Sequence, residues 1–135
     1  MCRLFISADS ALWESRTRSL RIDGMVASVR LENYFWRVLE EIAERDSLNI
    51  PQMLTRLYHE SIEAGHDIAN FASFLRVCCM RYLALQLNGD VPRDRSVPIA
   101  SLDVDDILSR EVERHQSPGR SEARHRDSAS SHRGN

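Results

Sequence analysis

Residues 26–60 read VASVRLENYFWRVLEEIAERDSLNIPQMLTRLYHE, and a change of period inside this stretch decides the fold. Up to Leu31 apolar and polar residues alternate, starting from Thr17, which is the pattern of a half-buried strand. Directly afterwards Phe35, Val38, Leu39, Ile42 and Ala43 fall at i, i+3, i+4, i+7 and i+8, with Trp36 widening the stripe. Glu32 and Asn33 supply acceptors at the start of this helix, which is expected to stop near Asp46-Ser47. A second helix opens at Asn49-Ile50-Pro51-Gln52. There Asn49 can cap, Pro51 suits an early helical position, and Gln52 stands where a capping box wants Glu or Gln. Its apolar set is Ile50, Met53, Leu54, Leu57, Tyr58 and Ile62, and Gly65 is its expected stop.

Working upstream, Asp23-Gly24 is a two-residue hairpin signal, because both central positions of a type I′ turn need positive φ. A turn there sets Ile22 opposite Met25, Leu20 opposite Ala27 and Arg18 opposite Val29. One side of the hairpin then carries Leu20, Ile22, Met25, Ala27, Val29 and Leu31; the other carries Ser19, Arg21, Val26, Ser28 and Arg30. Residues 1–16 form an N-terminal arm in which edge-strand segments are expected within Arg3–Ile6 and Leu12–Arg16. Residues 17–87 make the main domain.

Working downstream, a third helix is expected from about Asn70 to Leu87. Thirteen of the 17 residues from Phe71 to Leu87 are apolar, and the exceptions, Ser73, Arg76, Arg81 and Gln86, scatter around the wheel. So small a chain cannot surround such a helix alone, which points to an oligomer interface. Residues 88–98 read as a polar linker with two prolines. Residues 99–115 hold a short amphipathic helix built on Val104, Ile107, Leu108 and Val112, and residues 116–135 lack apolar periodicity and are expected to be disordered.

The 135 residues suit one small domain with its ends. All 18 basic residues are Arg, and they are unevenly placed. Residues 16–30 hold four Arg against Asp23 alone, whereas residues 32–64 hold three Arg against seven acids. A nucleic-acid partner would meet the first segment and not the second. Cys2, Cys78 and Cys79 form neither a disulfide framework nor a CxxC zinc pattern, which suits a reducing, cytoplasmic setting. The opening MCRLFISADSALW is too soon broken by Asp9 for a signal peptide, and no apolar run has the ~18 residues of a membrane span.

The order strand, helix, tight turn, capped helix across residues 26–60 resembles the ribbon-helix-helix family of DNA-binding proteins. A narrower bacterial subfamily is matched by RSLRIDG (Arg18–Gly24), SVRLEN-x-FW (Ser28–Trp36) and NFASFLRV (Asn70–Val77), so that the resemblance spans residues 16 to 85. It implies a mainly α fold with a short β-ribbon, an intertwined homodimer with an additional C-terminal helix, and double-stranded DNA as partner, with a tetramer on DNA as one assembly. The paired strands would read bases through Val26, Ser28 and Arg30, and the start of the second helix (Asn49, Ile50, Gln52) would grip a phosphate. Arg18 and Arg21 would reach phosphates from the extra strand. Ala27, Val29, Leu31, Leu54, Leu57, Phe74 and Leu75 would line the dimer interface. The alternative for the strand is a solvated sheet face, or an assembly surface from which DNA binding has been lost.

Other motifs carry less chemistry. HESIE (His59 to Glu63) departs from the HExxH zinc helix by a Glu for the second His; His59, Glu63 and His66 are read as a solvated face, and no metal or cofactor is expected. Cys78 and Cys79 are read as small buried hydrophobes. No phosphate loop, nucleophile elbow or convergent acid/base pair is present, so no catalytic residue is assigned. The expected function is a sequence-specific regulator, a repressor occupying its operator. The competing reading is an interaction protein of antitoxin type, whose amphipathic stretch 103–114 folds onto a protein partner.

Overall fold

Register is set at the hairpin turn. In the computed structural model, which describes residues 1–66 and 69–116, Asp23 and Gly24 have φ of 54° and 79°, the left-handed pair that a type I′ turn requires. They join β1 (Ser15–Ile22) to β2 (Met25–Glu32) in one antiparallel pair. Ile22 faces Met25, Leu20 faces Ala27 and Arg18 faces Val29, so the expected register holds. His59 fastens the turn from below, with Nε2 3.1 Å from the Asp23 carboxylate.

The arm departs from expectation. Cys2–Ile6 is a short helix, α1, and Ser10–Leu12 a 3-10 turn capped by Asp9, so Arg3–Ile6 forms no edge strand. CRLFI lacks the polar alternation a half-buried strand needs, and what holds the arm is a helix end. Asn33 donates its backbone N–H to the Glu14 carbonyl at 2.8 Å and its side-chain amide to the Ala11 carbonyl at 2.9 Å.

Three helices cover one face of the hairpin: α2 (Asn33–Arg45), α3 (Ile50–Glu63) and α4 (Phe71–Leu87). Asn49 and Gln52 form the reciprocal capping box that their spacing predicts, and Gly65 follows α3 at φ 78°. Leu20, Ile22, Val29 and Leu31 from the sheet meet Trp36 and Leu39 of α2, Leu54 of α3, and Leu75 and Cys79 of α4 in a single core. Burial, with Cys78 alongside, pushes the Cys79 thiol up to about 12, so this sulfur behaves as the apolar filler its context suggests. At the core's rim Arg76 grips Glu32 through two bonds of 3.0 Å, tying α4 to the end of β2 and holding the Glu32 carboxyl below its ordinary range.

Two expectations need correcting. Leu31, Leu54 and Leu75 are each 0% exposed and Val29 4%, so the chain's own elements bury the residues expected to meet a partner. The physical reason is the extra strand and the extra helix, which supply the cover that a lone strand and two helices would lack. Ala27, Leu57 and Phe74 retain partial exposure. The 88–98 segment, in turn, is a fixed strap. The buried Arg45 donates from Nε to the Val97 carbonyl (3.0 Å), from Nη1 to Pro92 (2.9 Å) and from Nη2 to Asp94 (3.0 Å).

Residues 1–101 make one compact unit; a second begins at Leu102. Within the second, residues 104–116 are helical, Asp103 caps the Asp106 N–H at 3.1 Å, and Arg110 pairs with Asp106. Ile107 is buried, whereas Val104, Leu108 and Val112 are exposed. The tail expected at 116–135 lies outside the described residues apart from its first position. Among the described residues no helix is long and apolar enough to cross a membrane.

Candidate nucleic-acid interface

The helices cover one face of the hairpin and leave the other open. In β2 the side chains alternate beyond the turn: Val29 and Leu31 are buried and Ala27 partly so, whereas Val26, Ser28 and Arg30 are exposed; Met25, beside the turn, is exposed although it has the parity of the covered face. The three expected base readers therefore stand on one solvent-facing strip, with Val26 67% exposed. Register places Arg21 beside Val26, Ser19 beside Ser28 and Thr17 beside Arg30, all three exposed as well. The result is a flat patch of two guanidiniums, three hydroxyls and one isopropyl group. Sequence reasoning does not single out Thr17; its parity with Ser19 and Arg21 in the hairpin register is the signal that could have found it.

The hydrogen-bond pattern of β2 adds a second feature. In a type I′ hairpin the turn-closing pair exchanges bonds, so Met25, Ala27, Val29 and Leu31 direct their backbone groups to β1. The N–H and C=O groups of Val26, Ser28 and Arg30 consequently point along the opposite edge, where no further strand lies among the described residues. That edge is a template for another strand.

Two phosphate assignments change. Arg18 belongs to the covered face: its Nη2 bonds the Glu40 carboxylate at 2.8 Å and its guanidinium lies 4.8 Å from the Trp36 ring centroid. The same parity that buries Leu20 and Ile22 turns Arg18 toward α2, which removes it from the open patch. At the α3 start, the Asn49 carboxamide accepts from the Gln52 N–H at 2.9 Å and the Gln52 side chain accepts from the Asn49 N–H at 3.0 Å. Pro51 has no N–H, so the Ile50 N–H is the donor of that turn which the capping box does not engage. Arg56, exposed, shares an open groove with Leu48, Pro51 and Gln52.

His59 and Glu63 sit on α3, and among the described residues no three His, Cys, Asp or Glu side chains gather as a metal site. Sequence reasoning also misses the joint between the hairpin and α2. Trp36 is 1% exposed, and its Nε1–H donates to the Arg16 carbonyl at 2.9 Å, so the helix holds the strand that backs the open patch.

Comparison with known proteins agrees with this architecture. No curated protein matches the chain. A solved structure, described as an uncharacterized protein from Bordetella pertussis Tohama I, is 50% identical, covers 80% of this chain and 86% of its own, and superposes with a TM-score of 0.77. A family model described as ribbon-helix-helix domain matches residues 15–83, from the first residue of β1 to near the end of α4. Strand, turn, capped helix and open basic strip thus lie inside one matched segment, and the chain belongs to the ribbon-helix-helix domain family, a fold of DNA-binding and antitoxin-like proteins in general.

Proposed function

We propose that this protein is a sequence-specific DNA-binding regulator, a repressor that occupies its operator as a homodimer. The observation that carries the reading is the strip Val26, Ser28, Arg30, whose side chains face solvent while its backbone edge is open for a second β2. Antiparallel pairing of two such edges about a two-fold axis gives the order β1-β2-β2-β1. Its outer strand axes stand ~14 Å apart at ~4.8 Å per step. The major groove is ~12 Å wide. The two β2 strands thus lie over base edges, and Thr17, Ser19 and Arg21 of β1 lie over the phosphate walls. The guanidinium of Arg30 suits guanine O6 and N7, and Ser28 suits either kind of base edge. Val26 offers apolar contact to a thymine methyl.

Arg30→Ala is expected to cost about 1–3 kcal/mol in specific binding and to broaden base preference at one position of each half-site. Arg21→Ala should instead weaken binding to all sequences alike and lower the salt slope by about one per arginine. Selection from random duplexes, followed by salt titration of the recovered site, reads both. Wild-type protein that recovers no preferred sequence at moderate salt overturns the proposal.

A second reading has one observation in its favour. Val104, Leu108 and Val112, at i, i+4 and i+8 of the 104–116 helix, are 57%, 45% and 56% exposed and form an apolar stripe open to a protein partner, as in an antitoxin. A partner that co-purifies with the wild-type chain and is released by the double variant Val104→Glu, Leu108→Glu supports it. Equal recovery by both eliminates it.

A further inference from the structure

The outer face of α4 is an apolar feature that neither the core nor the open strip uses. Its solvent side presents Ser73, Val77, Met80, Ala84 and Leu87, spaced 4, 3, 4 and 3 residues apart, which is an a/d seam about 21 Å long at ~1.5 Å per residue. Val77 is 57% exposed, Met80 59% and Leu87 78%. No charge falls at the five seam positions; Arg76, paired with Glu32, lies on one flank and the exposed Arg81 on the other. A helix from a protein of this size leaves such a stripe in water only when something else covers it.

The order of side-chain sizes identifies the cover. Folded about Met80, the seam sets small Ser73 against large Leu87 and Met80 against itself, with Val77 and small Ala84 of the partner staggered by one residue. Such matching of large with small is what an antiparallel pairing of two identical helices needs, and a two-fold axis makes it self-complementary. We propose that α4 packs antiparallel on the α4 of a second copy, with the axis at Met80. α4 also packs along β2, the strand with the open edge, so the seam lies on an element adjoining that edge. A stable interface buries ~800 Å² per partner, more than three residues of strand edge supply. The helix seam provides the remainder, and it takes over from Leu31, Leu54 and Leu75, which the chain's own core has absorbed.

Site-directed cross-linking of the full chain tests this, in a Cys2→Ser, Cys78→Ala background that leaves only the buried Cys79 thiol. With a short bismaleimide, Met80→Cys is expected to give a covalent dimer whose yield exceeds fivefold that of Ser73→Cys or Leu87→Cys alone. An equimolar mixture of Ser73→Cys and Leu87→Cys chains, exchanged before treatment, should link as well as Met80→Cys. Absence of both products overturns the pairing, as does self-linking of Ser73→Cys, which marks a parallel pair. Cross-linking does not involve DNA, so the seam and the DNA-binding reading fail separately: loss of operator preference with intact Met80→Cys dimers removes only the latter.

Discussion

Arg45→Ala is expected to lower the thermal midpoint by about 10 °C, from a loss of about 3 kcal/mol. Arg45 is 4% exposed and spreads its donors over three carbonyls of the 92–97 strap, while Nη1 also reaches the Tyr82 hydroxyl at 3.3 Å. Charge-assisted bonds of this kind contribute ~1.5–3 kcal/mol each, but carbonyls released with the strap regain water, which sets the total below their sum. Arg45→Lys should recover less than half of the loss, because one ammonium on a flexible stem cannot fan across three acceptors. Hydrogen exchange at residues 92–97 should rise in both variants. A midpoint within 2 °C of wild type, measured at the ~3–5 °C per kcal/mol expected for a domain of this size, would mean that the strap is held by something other than this guanidinium.

Local signals make most of the fold legible. Asp23-Gly24 sets the register, Asn49 and Gln52 the start of α3, and the shift of period at Leu31 the junction of β2 with α2; each depends on residues a few positions apart. The open strip follows from parity alone, and the resemblance locates it in a known family. What stays hidden depends on distant partners. Nothing near Arg45 in sequence announces carbonyls at Pro92, Asp94 and Val97, so residues 88–98 read as a linker. Counting the charge of Arg18 without its parity places it on a phosphate; Glu40 and Trp36, about twenty residues on, are what claim it. The resemblance implies an interface at Leu31, Leu54 and Leu75, and their apolar character marks burial without saying whose atoms do the burying. The apolar character of α4 is plain in the sequence, but only its packing in the fold separates its inner side, Leu75, Cys79 and Tyr82, from its outer seam.

Trp36→Ala is expected to destabilise the domain by about 3–5 kcal/mol, the cost of emptying a buried aromatic site. The ring is 1% exposed between the hairpin and α2, and Arg18 lies against its face. Trp36→Phe separates the contributions: it keeps most of the apolar area and the face for Arg18 but removes the bond to the Arg16 carbonyl, for a loss of about 1 kcal/mol. Urea unfolding of the two variants distinguishes packing from hydrogen bonding, and equal losses would assign the whole effect to the indole N–H. The consequence reaches function through β1. Because Trp36 holds that strand at Arg16 and the α2 side chains hold it at Arg18, weakening the joint should raise hydrogen exchange over residues 15–18 while Arg30, fixed by Val29 and Leu31 in the core, keeps its orientation. Trp36→Phe should therefore leave base preference intact and weaken binding to every duplex by a similar factor. A changed base preference in that variant would show that the outer strand, rather than β2, carries the reading.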